Sequence, residues 1–191
     1  MPRHLILIIA AAVALTGAPS AMGATIVVGR TDDPAGPCLP ASGTCTLRQA
    51  ITAAAAGDTI SLPPGSAHYL VTLGRIPIGK NLTITGGGAR ATVIDGGGAS
   101  PLFQATGTAT VAFNGVTLTG GNHDVTAPGT PAGGGALSMT GTPHVTFSDA
   151  ALTANRAKTT TGNTAGGAIA MSGGSLTLTR TLVSGGTAQS T

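Results

Sequence analysis

The chain repeats itself: short runs of alternating apolar residues recur about every thirty residues along its second half. Residues 102–108 align with residues 136–142 at an offset of 34, and residues 134–137 align with residues 166–169 at an offset of 32. A repeat of this length cannot bury its own apolar face, so successive repeats must stack on one another. The spacing therefore predicts a solenoid of strands rather than a globule.

Aligning the repeats places apolar residues in two columns, separated by one outward-facing residue because side chains alternate along a strand. We therefore predict an all-β fold, a parallel β-helix with three strands per turn and a rise of about 4.8 Å per turn. The first column contains Leu82, Val111, Val145 and Leu176, and the second contains Ile84, Phe113, Phe147 and Leu178.

An antiparallel sandwich of hairpins is the alternative, since Asn114-Gly115 between two apolar runs would suit a hairpin turn. Hairpins, however, predict no constant offset between strands that are not adjacent in sequence. The offsets favour the coil, in which Gly115 would form a corner that needs a positive φ.

A short helix is predicted before the strands begin, over residues 46–55. Thr46 and Gln49 form a capping box at its start, and Gly57 is expected to end it. Open coils expose unpaired strand edges, so solenoids need caps, and this helix suits that role at the N-terminal end. Its apolar positions follow helical spacing: Leu47, Ala50, Ile51 and Ala54.

The C-terminal end offers no such cap, because the sequence stops in mid-repeat after Leu182 and Val183. This predicts an uncapped last coil, and either a truncated reading frame or a chain that stacks on a partner. It also predicts self-association through the open coil.

The N-terminus reads as a secretory signal peptide, with a basic residue near the start, an apolar run over residues 5–15 and small residues before Ala24. The apolar run is too short to span a membrane. We predict cleavage before Ala24, a secreted or envelope-associated product and no transmembrane segment in the mature chain. The predicted divisions are residues 1–23 (signal peptide), 24–58 (N-terminal segment and cap helix) and 59–191 (coils).

Cys38 and Cys45 are the only cysteines and lie seven positions apart. In an exported chain such a pair predicts a disulfide, worth about 2 to 3 kcal/mol by chain entropy. The alternative is half of a metal site, which needs two more ligands. No His or further Cys lies close by in the sequence, so we predict the disulfide and no metal.

Charge is scarce: nine Lys and Arg and six Asp, with no Glu, give the 191 residues a formal net charge of +3. The Arg residues are scattered singly, so no basic patch for nucleic acid is predicted. Residues 74–81 and 86–91 are similar to nucleotide-binding loops, but neither is followed by the helix that such loops need. We therefore predict no cofactor.

Five segments together carry a family resemblance: residues 45–51, 56–60, 82–86, 92–96 and 115–122. They resemble the CSLREA-domain proteins, which are exported right-handed parallel β-helix proteins akin to pectin-lyase-like proteins and polymorphic outer-membrane repeats. Thr46 and Gln49 stand where the motif name has Ser and Glu, and both replacements keep the capping box. The resemblance implies a right-handed coil and export, and most members lack an assigned activity.

β-Helix enzymes that cut acidic polysaccharides cluster carboxylates on one face, either to hold Ca²⁺ or to act as an acid and base pair. This chain has no Glu, and its Asp residues are isolated apart from Asp32 and Asp33, which precede the helix. Asp95, before three glycines, is typical of a turn. We therefore predict no catalytic residue.

Two insertions leave the coil at equivalent positions, residues 123–132 and residues 156–165. Stacking would bring them side by side, and solenoids often bind through such insertions. The alternative is an ordinary solvated loop face. The predicted binding edge contains His123, Asp124, Arg156 and Lys158.

The leading hypothesis is an exported β-helix scaffold, a structural or adhesive module of the cell envelope or extracellular space. Its expected partner is a polysaccharide or another cell-surface component. The alternative is a carbohydrate-active enzyme, a polysaccharide lyase or hydrolase, or the N-terminal fragment of a larger one. Release of products from uronic-acid polymers would separate the two hypotheses.

Overall fold

The computed structural model describes residues 23–38, 43–65, 67–126, 132–160 and 164–190 of the chain. In this part of the chain the strands pair in parallel and stack into a β-solenoid of about five turns. The predicted parallel β-helix is confirmed, and the antiparallel sandwich is wrong. Residues 1–22, which carry most of the predicted signal peptide, lie outside the described residues.

One helix and twenty strands make up the described ranges. In chain order they are β1 Thr25–Val27, α1 Leu47–Ala53, β2 Thr59–Leu62, β3 Tyr69–Leu70, β4 Ile76–Ile78, β5 Leu82–Gly86, β6 Val93–Asp95, β7 Phe103–Gly107, β8 Thr110–Asn114, β9 Thr117–Thr119, β10 Asn122–Val125, β11 Ala132–Gly133, β12 Leu137–Gly141, β13 His144–Ser148, β14 Ala151–Thr153, β15 Arg156–Thr159, β16 Thr164–Ala165, β17 Ile169–Met171, β18 Ser175–Thr179, β19 Leu182–Ser184 and β20 Thr187–Ser190.

These strands form five parallel sheets, which we name A to E. Each strand of a sheet lies beside the equivalent strand of the neighbouring turn. Sheet A contains β1, β2, β5, β8, β13 and β18, and sheet B contains β3, β6, β9, β14 and β19. Sheet C contains β4, β7, β12 and β17, sheet D contains β10, β15 and β20, and sheet E contains β11 and β16.

The number of strands per turn changes along the solenoid. The turns that begin at β2 and β5 pass through sheets A, B and C, as predicted. The turns that begin at β8 and β13 add one strand of sheet D and one of sheet E before they reach sheet C. The prediction of three strands per turn is wrong there, because the insertions predicted as loops pair with each other as strands.

The pairing register follows the sequence offsets. Both predicted columns stack in register in sheet A and are buried until the last turn, where Leu178 is 44% exposed. Phe113 and Phe147 stack with ring centroids 4.7 Å apart, and Phe103 packs against Phe113 at 5.1 Å. Gly115 has a φ of +60°, which confirms the predicted corner.

Helix α1 covers the start of the solenoid, where it packs against β2 and β4. The predicted capping box is present: the Thr46 hydroxyl accepts a hydrogen bond from the Gln49 N–H, and the Gln49 side chain accepts one from the Thr46 N–H. The prediction that Gly57 ends the helix is wrong. The chain already leaves the helix at Ala54, whose ψ of 146° is extended.

The N-terminal segment, which precedes the helix, is attached both to the solenoid and to the helix. β1 pairs with β2, so this segment supplies the first strand of sheet A. Cys38 and Cys45 are bonded, which confirms the predicted disulfide. Arg48 of α1 donates two hydrogen bonds to buried Asp33, which also accepts two backbone N–H groups from the loop between β3 and β4.

The last described turn is uncovered. Met171, Leu178 and Val183 pair with buried residues of the previous turn but are themselves 44% to 45% exposed. Within the described ranges no element packs over them. Self-association through this surface stays a prediction.

A buried asparagine fixes the corner between sheets B and D. Asn155 is fully buried, its Oδ1 accepts the N–H of Gly121 at 2.8 Å, and its Nδ2 donates to the Leu118 carbonyl at 3.0 Å. Asn155→Ala leaves the Gly121 N–H without a partner and removes the hydrogen bond to the Leu118 carbonyl, so we expect the free energy of unfolding in urea to fall by about 2 kcal/mol. Asn114→Ala is the control, because outward-facing Asn114 forms no side-chain hydrogen bond with a described residue. We expect the control to change stability by less than about 0.5 kcal/mol, and equal losses would contradict the assigned role.

Candidate functional site

A cleft of about 260 Å³ lies between sheet C and the inserted strands of sheets D and E. Its floor comes from β7, β12 and β17, and its wall comes from β10, β11 and β16. Arg75 lies at one side, immediately before β4. The volume suits one small ligand or one unit of a polymer.

The polar residues of the floor occupy outward positions of sheet C. Gln104 lies between buried Phe103 and Ala105 and pairs in register with Ser138, and Ala170 continues the same column on the next turn. Because side chains alternate along a strand, burial of the apolar neighbours turns Gln104 and Ser138 toward the cleft. Stacking therefore repeats an outward position at intervals of about 4.8 Å.

The wall is held together by His123 and approaches the floor closely because of Gly133. The His123 Nδ1 atom lies 2.9 Å from the backbone nitrogen and 2.8 Å from the backbone oxygen of Gly133, which joins β10 to β11. A Cβ atom at position 133 would lie 2.7 Å from the Cβ of Ala170 and 2.8 Å from the Ala165 carbonyl oxygen. A larger residue would therefore push the wall away from the floor.

Arg75 brings a positive charge to the cleft. Its side chain is partly buried, and its guanidinium forms no hydrogen bond or ion pair with any residue in the described part of the chain. Burial lowers the pKa of Arg75, although the group stays a cation at neutral pH. Arg48 donates to the carbonyl oxygens of Gly74 at 2.6 Å and of Arg75 at 3.5 Å. The backbone that carries this cation is thus fixed by the N-terminal segment.

His123 is the titratable group of the wall. Burial lowers the pKa of His123 below its ordinary value of 6.5, and the charge of Arg75 lowers it further. The hydrogen bond to Gly133 and the charge of Asp124 act in the opposite direction and do not offset these effects. The imidazole is therefore neutral at pH 7. Among the described residues, none partners its Nε2 atom.

The structure divides the predicted binding edge between two surfaces. The two insertions lie side by side as predicted. Asp124 of β10 lies opposite Lys158 of β15 in the strand register, and Arg156 Nε donates to Asn122 Oδ1 at 2.9 Å. His123 faces the cleft on the opposite side of β10, because successive side chains alternate. Asp124, Arg156 and Lys158 are therefore brought together without His123, and their role in binding stays a prediction. Residues 127–131 and 161–163 of the insertions lie outside the described residues.

Arg75 and the polar column of sheet C were not predicted from the sequence. Arg75 is an isolated cation in a glycine-rich stretch, so no motif marks it. The column carried a signal, because the offset of 34 that aligns Phe103 with Leu137 also aligns Gln104 with Ser138. The offset does not predict the wall of inserted strands, and it is this wall that makes the outward column one side of a cleft.

The polar side chains of the cleft are able to bind a ligand through hydrogen bonds and charge. They comprise a guanidinium, an imidazole, an amide and several hydroxyl groups. Within the described ranges, no group of three or more His, Cys, Asp or Glu side chains is placed to hold a metal ion. No helix in the same ranges is both long and apolar enough to cross a bilayer.

The chain matches no protein-family model, no curated protein and no solved structure. The candidate site therefore rests on the geometry of this chain.

Proposed function

We propose that the chain is an exported β-solenoid that serves as a structural or adhesive module of the cell envelope or extracellular space. It holds a polysaccharide or another surface component in the cleft beside sheet C. The observation that carries the proposal is the cleft itself, a floor of stacked strands faced by a wall of inserted strands. A solenoid presents equivalent positions on successive turns, which suits an extended partner.

Two features support export. The first 23 residues have the composition of a signal peptide. The bond between Cys38 and Cys45 is of a kind that persists in oxidising compartments outside the cytosol. The resemblance to CSLREA-domain proteins is in keeping with the same proposal.

A bulky residue in the floor should abolish binding. Ser138→Phe fills the cleft, whereas Thr146→Phe adds the same bulk at an outward position of β13 in sheet A, outside the cleft lining. The measurement is retention on insoluble pectin, alginate, chitin and peptidoglycan. We expect the wild type and Thr146→Phe to be retained on at least one polymer, and Ser138→Phe to bind it about tenfold more weakly or worse. Equal retention of the two variants, or no retention of the wild type on any polymer, would contradict the proposal.

A carbohydrate-active enzyme is the alternative function. It is favoured by the neutral imidazole of His123 beside the Arg75 guanidinium, because a neutral imidazole is able to accept a proton. The same incubations separate the two functions. Reducing ends or unsaturated products in the supernatant would identify a hydrolase or lyase, whereas a polymer recovered intact supports a binding module.

A further inference from the structure

We propose that Arg75 and His123 form a seat for one anionic group, a carboxylate or a sulfate, carried by the ligand of the cleft. This inference deepens the binding function proposed above and rests on it. The partly buried guanidinium of Arg75 has lost water without gaining a counter-ion among the described residues. A cation in that position favours a ligand that supplies the missing negative charge.

The seat is already assembled before a ligand arrives. Arg48 fixes the backbone of Gly74 and Arg75, and Arg48 is itself held by Asp33. Because this loop needs little further ordering, less binding free energy is lost on association. The planar fork of a guanidinium matches two oxygens of a carboxylate or sulfate. Gln104 and Ser138 are placed to meet the polar groups around that anion.

His123 makes the seat sensitive to pH. It is neutral at pH 7, and the described charged groups that act on it are Arg75 and Asp124. An anion in the seat favours the protonated imidazole, so binding takes up a proton and affinity rises as the pH falls. A sugar carboxylate keeps its charge at mildly acidic pH, because carboxyl groups titrate near pH 3 to 4.

The test compares each acidic sugar with its neutral counterpart by ligand-observed NMR titration. The probes are galacturonic acid against galactose and N-acetylglucosamine 6-sulfate against N-acetylglucosamine, at pH 7.5 and pH 5.5. We expect at least one acidic sugar to bind about tenfold more tightly than its neutral counterpart or better. Arg75→Gln should remove this preference. Arg90→Gln is the control, because Arg90 is exposed and lies outside the cleft lining.

His123→Gln tests the pH dependence separately. It should flatten the rise in affinity between pH 7.5 and pH 5.5 while the preference for the acidic sugar remains at pH 7.5. The relative strength of the two acidic sugars decides between carboxylate and sulfate. Equal binding of acidic and neutral sugars, or an acidic preference that survives Arg75→Gln, would overturn the seat. If Ser138→Phe abolishes polymer retention but Arg75→Gln does not, the seat is also overturned. The binding function proposed above is then still supported.

A second buried group, the carboxylate of Asp58, lies at the predicted processing point, Ala24. Asp58 is buried, its Oδ1 accepts the backbone N–H of Ala24 at 2.8 Å, and its Oδ2 accepts that of Ala55 at 2.8 Å. In the described part of the chain no cation forms an ion pair with this carboxylate. A buried carboxylate without a cation is costly.

We infer that Asp58 receives the α-ammonium group of the processed chain. The water that hydrolyses the bond between Gly23 and Ala24 leaves a carboxylate on the leader and an ammonium on Ala24. The nitrogen atom that already donates to the Asp58 carboxylate then carries a positive charge, so the hydrogen bond joins two opposite charges. Processing would thus complete an ion pair at the first strand of sheet A. The inference rests on the export proposed above.

Chemical capping of the N-terminus tests this role. A chain that begins at Ala24 is compared with the same chain acetylated at Ala24, which keeps the N–H and removes the charge. We expect acetylation to lower the thermal midpoint by roughly 5 °C, and to have no such effect in an Asp58→Asn background. A neighbouring carboxylate raises the pKa of an α-amino group, so we expect the contribution of the ion pair to be complete below about pH 7.7 and to be lost as the pH rises further.

Two outcomes separate the claims. An equal effect of acetylation with and without the Asp58 carboxylate would overturn the ion pair. A secreted product whose N-terminal sequence does not begin at Ala24 would instead overturn the processing step.

Discussion

Phe113→Ala is expected to lower the free energy of unfolding by about 4 kcal/mol. Phe113 lies in the middle of the second column, between Ile84 and Phe147, and is fully buried. Its ring stacks on Phe147 at 4.7 Å and packs against Phe103 at 5.1 Å. Truncation removes these aromatic contacts and leaves a cavity that neighbouring turns, fixed by their parallel ladders, have little freedom to fill.

Leu178→Ala is the matched control, because Leu178 belongs to the same column but is 44% exposed in the uncovered last turn. We expect it to cost about 1 kcal/mol. Urea denaturation gives both free energies, and its m value reports whether the turns still unfold together. Similar losses at the two positions would mean that the column does not stabilise the solenoid through its buried interior.

The register of the solenoid was predictable because apolar residues recur at a constant offset along the sequence. Val111 and Val145 stack only because the number of residues between them equals the length of one turn. The offset found in the sequence therefore predicts the contact directly. The capping box was predictable for a similar reason, since Thr46 and Gln49 meet within one turn of helix. In both cases the interaction is local, or is repeated regularly enough to be read directly.

Sheets D and E could not be predicted by the same means. The sequence of β10 is Asn-His-Asp-Val and that of β15 is Arg-Ala-Lys-Thr, neither of which has a marked apolar alternation. These segments form strands because stacked turns place them side by side, and strand formation depends on such context more than on intrinsic preference. Their polar composition therefore indicated loops.

The site escaped prediction because its parts come from distant places in the sequence. The backbone of Arg75 is fixed by a hydrogen bond from Arg48, which lies 27 residues earlier in the sequence. Arg48 is itself held by Asp33, which lies earlier still. His123 comes to face Arg75 only because β10 and β11 form a wall, which the sequence did not indicate. A single sequence contains no pattern that joins these positions.

Asp33→Asn is expected to lower the free energy of unfolding by about 3 kcal/mol at pH 7. The Asp33 carboxylate is buried and forms paired hydrogen bonds with Arg48, at 2.7 Å and 2.9 Å. It also accepts the backbone N–H groups of Thr72 at 2.7 Å and Leu73 at 2.9 Å. An amide at this position cannot neutralise Arg48 and loses one acceptor, so the helix and the loop before β4 are no longer held together.

The pH dependence of that loss identifies its cause. Burial by itself raises the pKa of Asp33, but the hydrogen bonds from Arg48, Leu73 and Thr72 and the Arg48 charge together hold it below 3.8. A carboxylate whose pKa is lowered in the folded state stabilises fully above the unfolded value and loses that contribution as the pH falls through the folded value. The difference between wild type and Asp33→Asn should therefore be constant near neutrality and shrink below about pH 3.8.

The neighbouring carboxylate supplies the control for both claims. Asp32 pairs with Arg30 on the surface, where both side chains are about half exposed, so Asp32→Asn should cost less than about 1 kcal/mol. Because the Asp33 network also fixes the backbone of Arg75, Asp33→Asn should weaken binding of the acidic sugar while Asp32→Asn leaves it unchanged. A stability loss in Asp33→Asn that persists undiminished at pH 3 would show that packing, rather than the charge pair, joins the cap to the cleft.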